Sequence, residues 1–197
     1  MEVFERYGLD ITKQQWATLL GATADVPEAY VMLEQHLGRP IDREELHKTR
    51  LARELQLLEQ EAVLPGVREL IEESQTAGLD LAVASSSDRA WVEGLLTKHG
   101  LTQSFDAIVC AEDVAQTKPS PDLFLKALDR LNVEPHQAIV FEDSEHGASA
   151  AKTAGIYCVA VPNEITRCLT FDDANLIVSS IADYSLNEYI ELATPSR

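Results

Sequence analysis

Basic residues, cysteines and long apolar runs are all scarce in this sequence of 197 residues. It contains 16 lysines and arginines against 33 aspartates and glutamates, which gives a formal charge of −17 at pH 7. So negative a chain repels the phosphate backbone of nucleic acids and the surface of anionic membranes, and neither is expected as a partner. Small anionic ligands remain compatible with this charge if a bound cation screens them.

No apolar run approaches the length of a membrane span, and residues 1–8 lack the apolar stretch of a signal peptide. The three cysteines, Cys110, Cys158 and Cys168, are odd in number and form no C-x-x-C pair. Neither a disulfide framework nor a zinc site is therefore expected. We expect a soluble protein of the reducing cytoplasm, and the composition leaves its oligomeric state open.

The sequence pattern of residues 1–63 predicts a small bundle of helices without any strand. Apolar residues recur at helical spacing, and charged side chains cover the remaining positions. The helix starts carry capping signals: Thr12 with Gln15, Asp25 before Pro27, and Asp42 with Glu45. In the last helix of this part, four leucines are expected along one face: Leu46, Leu51, Leu55 and Leu58.

The tripeptide Leu64-Pro65-Gly66 interrupts the helical pattern, and beyond it short apolar segments alternate with helical ones. We place a domain boundary there, with residues 1–63 on one side and residues 64–197 on the other. Strands that alternate with helices predict an α/β fold with a doubly wound parallel sheet. The expected strands are residues 79–84, 105–110, 138–141, 156–161 and 176–178. The expected helices are residues 67–77, 88–99, 121–131, 146–154 and 186–192.

One stretch, residues 137–147, organises the second domain. Its apolar part, residues 138–141, is typical of a parallel strand covered on both faces, and a helix follows over residues 146–154. Glu142 and Asp143 are therefore expected at the carboxyl end of a buried strand, where open α/β sheets bind their ligands. Two adjacent carboxylates there repel each other and offer hard oxygen ligands, which favours a Mg²⁺ site. The alternative is an acidic pair that only stabilises the helix N-terminus.

A run of hydroxyl side chains follows an earlier strand, in the motif A-S-S-S-D-R from Ala84 to Arg89. Ser85 and Ser86, with the unpaired N–H groups of the first turn of the next helix, would form a seat for a phosphate group. Ser87 is expected as the N-cap of that helix. Helix capping alone is the alternative interpretation of this motif.

A third motif, K-P-S-P-D, begins at Lys118 and precedes another helix. Ser120 is expected to cap that helix, with Pro121 as its first residue. Because a residue before proline is extended, Lys118 would present its ammonium group in the loop above the strand ends. A loop lysine is usually only solvated. A second acidic pair, Glu112-Asp113, is a weaker candidate, because Asp113 can simply cap a turn.

Together, A-S-S-S, K-P-S-P-D and F-E-D-S-x-x-G resemble the motifs of the haloacid dehalogenase superfamily, in the branch of phosphoglycolate phosphatases and β-phosphoglucomutases. The resemblance implies a Rossmann-like core, with the helical amino-terminal part as a cap domain. It implies that Ser85 and Lys118 are catalytic, and that both, with Ser86, bind the phosphate group of the substrate. It also implies that Glu142 and Asp143 hold Mg²⁺.

One motif of the superfamily is absent from this sequence. Members open with a strand ending in D-x-D-G-T, whose first aspartate is the nucleophile and whose second is the general acid/base, but no D-x-D occurs here. In the family that strand is central, between the strands that end at Ser85 and at Asp143. Strands pair at about 4.8 Å, so its loss would leave a gap of about 10 Å with unpaired backbone on both sides. We therefore expect an incomplete core of marginal stability, from a truncation or a misplaced gene start.

The resemblance implies a Mg²⁺-dependent phosphohydrolase or phosphomutase that acts through an aspartyl phosphate on a small phosphorylated metabolite, of the sugar phosphate or phosphoglycolate type. Without its nucleophile the chain is expected to be inactive. The alternative is a non-catalytic protein that retains a phosphate- and metal-binding pocket. A response-regulator receiver has its acidic residues, hydroxyl and lysine in another order, and a dehalogenase needs no metal, so both are disfavoured.

Overall fold

The computed structural model of the protein describes residues 2–19 and 27–194. The helices are α1 (Glu2–Glu5), α2 (Lys13–Leu19), α3 (Pro27–Leu37), α4 (Arg43–Leu58), α5 (Val67–Thr76), α6 (Arg89–Lys98), α7 (Asp122–Leu131), α8 (Glu145–Ala154) and α9 (Leu186–Ala193). The strands are β1 (Ala82–Ala84), β2 (Ala107–Val109), β3 (Ile139–Glu142), β4 (Tyr157–Ala160) and β5 (Leu176–Ile177). Within these ranges no helix is both long and apolar enough to cross a membrane.

We call residues 2–19 and 27–63 the helical segment, and its described helix starts follow the capping signals. Thr12 Oγ1 accepts a hydrogen bond from the backbone N–H of Gln15 at 3.2 Å, and Gln15 Oε1 accepts one from that of Thr12 at 3.0 Å. Asp42 accepts from the N–H of Glu45 at 3.0 Å and begins α4. The start expected at Asp25 lies outside the described residues. The domain boundary after residue 63 stays a prediction.

The leucines predicted along one face of α4 are buried to different degrees. Leu46 is buried in the apolar cluster of the helical segment, but Leu55 is 49% exposed. The second buried residue of α4 is Arg50, one turn after Leu46. Leucine spacing cannot show this, because burial depends on the other helices. The cluster consists of Val3, Phe4, Ile11, Trp16, Ala29, Tyr30, Leu33 and Leu46.

The strands of the described residues form two separate parallel sheets. β1 pairs with β2, so that Ala84 lies opposite Val109. In the other sheet β4 lies between β3 and β5, and Glu142 lies opposite Ala160. Within residues 2–19 and 27–194 no strand pairs with the second edge of β1 or of β3. The α/β fold with parallel strands is therefore confirmed, and the break falls where the sequence predicted a gap.

The break changes the burial of the strands beside it. Residues 139–141 of β3, expected to be covered on both faces, are only partly buried, whereas residues 158–160 of β4 are fully buried. β4 has a strand on each side, but β3 has one neighbour and faces a cleft with its other edge. The continuous apolar sequence thus predicted a strand correctly, but the strand is less buried than that sequence indicated.

Two predicted helix caps are wrong. The N-cap of α6 is Asp88, not Ser87, and its carboxylate accepts from the N–H of Trp91 at 2.8 Å. A carboxylate accepts this bond and also interacts favourably with the helix dipole, so it is preferred to the neighbouring hydroxyl. Ser120 does not cap α7, because its hydroxyl donates to the side chain of Asp122 at 2.8 Å.

Candidate active site

A cleft of about 1020 Å³ lies between the helical segment and the carboxyl ends of β1 and β3. All three sequence motifs contribute to its lining: Ser85, Ser86, Ser87, Lys118, Glu142 and Asp143. Val83 and Phe141, from the two strand edges at the break, line it as well. The structure therefore brings together the residues of the three motifs, but not the weaker candidate pair Glu112-Asp113.

The serine loop continues the ladder of β1 and then turns into α6. The N–H of Ser85 donates to Val109 O at 2.9 Å, which adds one bond to the pairing of β1 with β2. Ser85 Oγ accepts from the N–H of Ser87 at 3.1 Å, so the turn is closed by a local hydrogen bond. The loop thus presents hydroxyl groups directly before the N-terminus of a helix, which is a favourable place for an anion.

The second acidic pair has structural roles. The carboxylate of Glu112 accepts from the N–H of Arg89, the first residue of α6, at 3.0 and 3.2 Å. Asp113 accepts from the N–H of Cys110 at 2.8 Å and forms ion pairs with Arg89 and Arg130. The N–H of Cys110 and then the charges of Arg130 and Arg89 lower the pKa of Asp113. Neither acid lines the cleft.

Lys118 is buried, although the sequence placed it in an open loop. Its side chain is 8% exposed, and its ammonium group forms an ion pair with Glu142 Oε1. Lys118 Nζ also donates to Ala84 O, the last carbonyl of β1, at 2.9 Å, and lies 4.7 Å from the centre of the Phe124 ring. One ammonium group therefore connects the end of β1 to the end of β3.

Glu142 is held from its other side by the start of α8. Glu142 Oε2 accepts from the Ser144 hydroxyl at 3.1 Å, and Ser144 Oγ accepts from the N–H of Gly147 at 3.0 Å as the N-cap of α8. A Cβ atom on Gly147 would overlap the carboxylate of Glu142, so any other residue there would displace that carboxylate. Both carboxylate oxygens of Glu142 are thus engaged by neighbouring side chains.

Asp143 is exposed and lies on the cleft wall beside Asn163. The side-chain amide of Asn163 donates to Asp143 Oδ2 at 2.9 Å. Our reading of the sequence missed Asn163, although it follows the carboxyl end of β4 and the strand-end rule would have selected it. Both residues of the predicted acidic pair line the cleft, but Asp143 is exposed whereas Glu142 is buried.

The helical segment supplies the opposite wall of the cleft through Trp16, Arg50 and Glu54. Arg50 is 9% exposed; its guanidinium pairs with Glu54 at 2.6 Å and donates to the Tyr30 hydroxyl at 3.4 Å. The sequence offered no reason to select Arg50. In its helix the leucines were expected to face the core, and the charged residues were expected to face solvent. This wall of the cleft therefore combines an ion-paired cation with a mostly buried aromatic ring.

Cys158 lies behind the Lys118–Glu142 pair, on β4. Burial, and then the negative charge of Glu142, raise its pKa to about 12, and the charge of Lys118 offsets this only in part. The thiol therefore stays protonated near neutral pH and is no candidate nucleophile.

Comparison with known proteins identifies the family. Residues 1–161 match the model of the haloacid dehalogenase-like hydrolases. YhcW of Bacillus subtilis (strain 168) is 37% identical over 185 residues, which are 94% of this chain and 84% of that protein. The chain belongs to the haloacid dehalogenase-like hydrolase family.

Two further members of the family are similar over most of their length. Hexitol phosphatase B of Escherichia coli (strain K12) is 32% identical over 190 residues, 95% of this chain and 83% of that protein. The crystal structure of CbbY (mutant D10N) from Rhodobacter sphaeroides in complex with xylulose-(1,5)bisphosphate superposes with a TM-score of 0.76. The CbbY chain is 30% identical in sequence. The match covers 94% of the present chain and 87% of the CbbY chain.

The acidic residues of the cleft offer few carboxylate oxygens as ligands for a Mg²⁺ ion. Among the described residues, no group of three or more histidine, cysteine or acidic side chains is arranged to hold a metal. Glu142 uses its oxygens for Lys118 and Ser144. The carboxylate of Asp143 fits an ion that keeps several waters and shares a phosphate, since Mg²⁺ is commonly held by one or two carboxylates in that way.

Proposed function

We propose that the cleft binds the phosphate group of a small phosphorylated metabolite, and that together with an aspartate nucleophile, which this chain lacks, it would serve the phosphoryl transfer of a phosphohydrolase or phosphomutase. One observation carries this proposal: Ser85 follows β1, Lys118 lies in the loop between β2 and α7, Asp143 follows β3, and all three line one cleft. A hydroxyl, a buried ammonium and a carboxylate at the carboxyl ends of parallel strands are suited to a phosphate and a divalent cation.

Each residue would have a distinct role. Ser85 and Ser86 would donate hydrogen bonds to phosphate oxygens at the N-terminus of α6, and Lys118 would neutralise charge on the transferring group. Asp143 would hold Mg²⁺, while Glu142 would act mainly by fixing the position of Lys118. When bound, Mg²⁺ supplies positive charge that stabilises the phosphate oxygens during transfer.

The transfer itself needs an aspartate nucleophile. Its carboxylate would form a bond to phosphorus as the ester P–O bond breaks, and the leaving oxygen would take a proton from an acid/base group. Water would then hydrolyse the aspartyl phosphate in a phosphatase, or a sugar hydroxyl would accept the phosphoryl group in a mutase. The 197 residues contain no D-x-D pair for these two tasks. We infer that this chain alone binds phosphate but does not turn over phosphate esters.

The helical wall and the relatives support a sugar phosphate as the substrate class. Trp16, Arg50 and Glu54 line this wall, and an aromatic ring beside charged groups is a combination suited to a sugar phosphate. The name of hexitol phosphatase B and the xylulose bisphosphate bound to CbbY support the same class. The alternative function is a non-catalytic phosphate-binding protein. Such a protein would also bind phosphate without turning over phosphate esters.

Release of phosphate from p-nitrophenyl phosphate, with Mg²⁺ or with EDTA, tests the proposal together with a titration of inorganic phosphate. We expect the chain to bind phosphate more tightly with Mg²⁺ and to release none from the ester. Clear Mg²⁺-dependent turnover would contradict the missing nucleophile. Absence of phosphate binding in both conditions would contradict the site.

A further inference from the structure

Asn163 is bonded through both ends of its side-chain amide. Its Nδ2 donates to Asp143 Oδ2 at 2.9 Å. Its Oδ1 accepts from the backbone N–H groups of Ile165 and Thr166 at 2.8 and 3.1 Å. The backbone N–H of Asn163 donates in turn to the hydroxyl of Thr166 at 3.0 Å, and Thr166 is fully buried. The amide therefore has a fixed orientation, and so does the donor that it offers to Asp143.

The same loop is packed against the helical segment. Ile165 contacts the apolar cluster that includes Trp16, although it belongs to the loop after β4. The turn Thr166–Cys168 contacts α2, the helix that carries Trp16. A displacement of the helical segment would therefore move Ile165, and with it the amide of Asn163.

We propose that Asn163 is a positioning residue that makes the orientation of the Asp143 carboxylate depend on the docking of the helical segment. When the helical segment is docked, it holds Ile165 in place, and Ile165 fixes the side-chain amide of Asn163. That amide then keeps the Asp143 carboxylate oriented toward the cleft. When the segment moves away, the donor to Asp143 is lost and the carboxylate turns toward solvent. That this coupling affects metal binding rests on the proposed function. The coupling between the helical segment and Asp143 is itself expected without any ligand.

A ¹H–¹⁵N correlation spectrum of the full chain tests the link. Asp143→Ala should shift the side-chain NH₂ signals of Asn163, because they lose their acceptor. It should also shift the indole N–H signal of Trp16, while that of Trp91, on α6, stays in place. Glu145→Ala, which removes a neighbouring exposed acid, is the control and should move neither signal. A Trp16 signal that stays in place in Asp143→Ala would overturn the proposal, even if the Asn163 signals shift.

A second variant separates positioning from a purely local turn. Asn163→Asp keeps an oxygen acceptor for Ile165 and Thr166 but removes the donor to Asp143. The backbone amide signals of those two residues should remain close to their wild-type positions. On this background, adding Asp143→Ala should no longer shift the Trp16 indole signal. A Trp16 shift as large as that on the wild-type background would show that Asn163 is not the link.

These spectra are recorded without phosphate or metal, so they decide the inference independently of the proposed function. A protein that binds no phosphate could still show the link. A protein that binds phosphate well could lack it, and the variant spectra would then contradict the inference alone.

Discussion

Lys118 and Glu142 form a buried ion pair across the break between the two parallel sheets. Their side chains are 8% and 7% exposed, and Lys118 also bonds the last carbonyl of β1. In the described residues no strand pairing joins β1 to β3, so the lysine is a direct polar connection between the two sheets. The residue assigned to phosphate binding therefore also has a structural role.

Loss of one partner of this pair should strongly destabilise the protein. Lys118→Met leaves Glu142 buried without its counter-charge, and breaking a buried pair in this way typically costs about 3–5 kcal/mol. The double variant Lys118→Met/Glu142→Leu should recover part of that loss. Urea unfolding measures both. Lys126→Met is the control, because its pair with Asp129 is exposed and should matter by less than about 1 kcal/mol. Equal effects of the two lysine variants would contradict the importance of the buried pair.

Gly147→Ala should destabilise the protein by displacing Glu142. The added methyl group would overlap Glu142 Oε2, and overpacking of this kind costs about 1–3 kcal/mol. Gly94→Ala is the matched substitution in α6, where a Cβ atom meets nothing within 4 Å. It should stabilise the protein by up to about 1 kcal/mol, because alanine favours the helix. Thermal unfolding should give opposite signs, and a neutral Gly147→Ala would contradict the close approach.

The arrangement of the motifs could be predicted from the sequence because it depends on local rules. Ser85, Lys118 and Asp143 were placed by apolar runs, helix signals and the rule that parallel strands end at the same edge. Their meeting at one cleft follows from that rule. The roles assigned to them stay predictions until binding is measured.

What the sequence could not show depends on partners distant in the chain. Lys118 is buried because Ala84 O and Glu142 lie next to it, and neither is near it in sequence. Arg50 lines the cleft and donates to Tyr30 of α3, which lies 20 positions earlier in the sequence. Asn163 holds Asp143 across 20 positions of sequence. Periodicity and spacing carry no information about such long-range contacts.

Only one of the three cysteines should react in the native protein. Cys110 and Cys158 are fully buried, and burial raises the pKa of both thiols, that of Cys158 to about 12. At pH 8 about one Cys158 side chain in 10,000 would be the reactive thiolate. Cys168 is exposed. A chromogenic disulfide reagent should count one thiol in the native protein and three in denaturant, and Cys168→Ser should remove the native signal. Rapid native labelling of Cys158 would contradict its burial.

The stability that Asp113 contributes should be lost in acid. The N–H of Cys110, and then Arg130 and Arg89, lower its pKa in the folded state. Its contribution is therefore complete above the unfolded-state pKa of about 3.9 and disappears as the pH falls through the lower folded value. Wild type should exceed Asp113→Asn in stability at pH 6, and the difference should shrink toward about pH 2. Urea midpoints measured across this range would contradict the account if the difference grew on acidification.

The most direct test of the whole account is a calorimetric titration of inorganic phosphate into the full chain with Mg²⁺ present. Ser85→Ala should weaken binding about 10-fold to 100-fold, as expected for the loss of one hydrogen bond to a charged group. Ser104→Ala, a serine outside the cleft, should leave the affinity unchanged. Equal affinities of wild type and Ser85→Ala would contradict a phosphate site at this cleft.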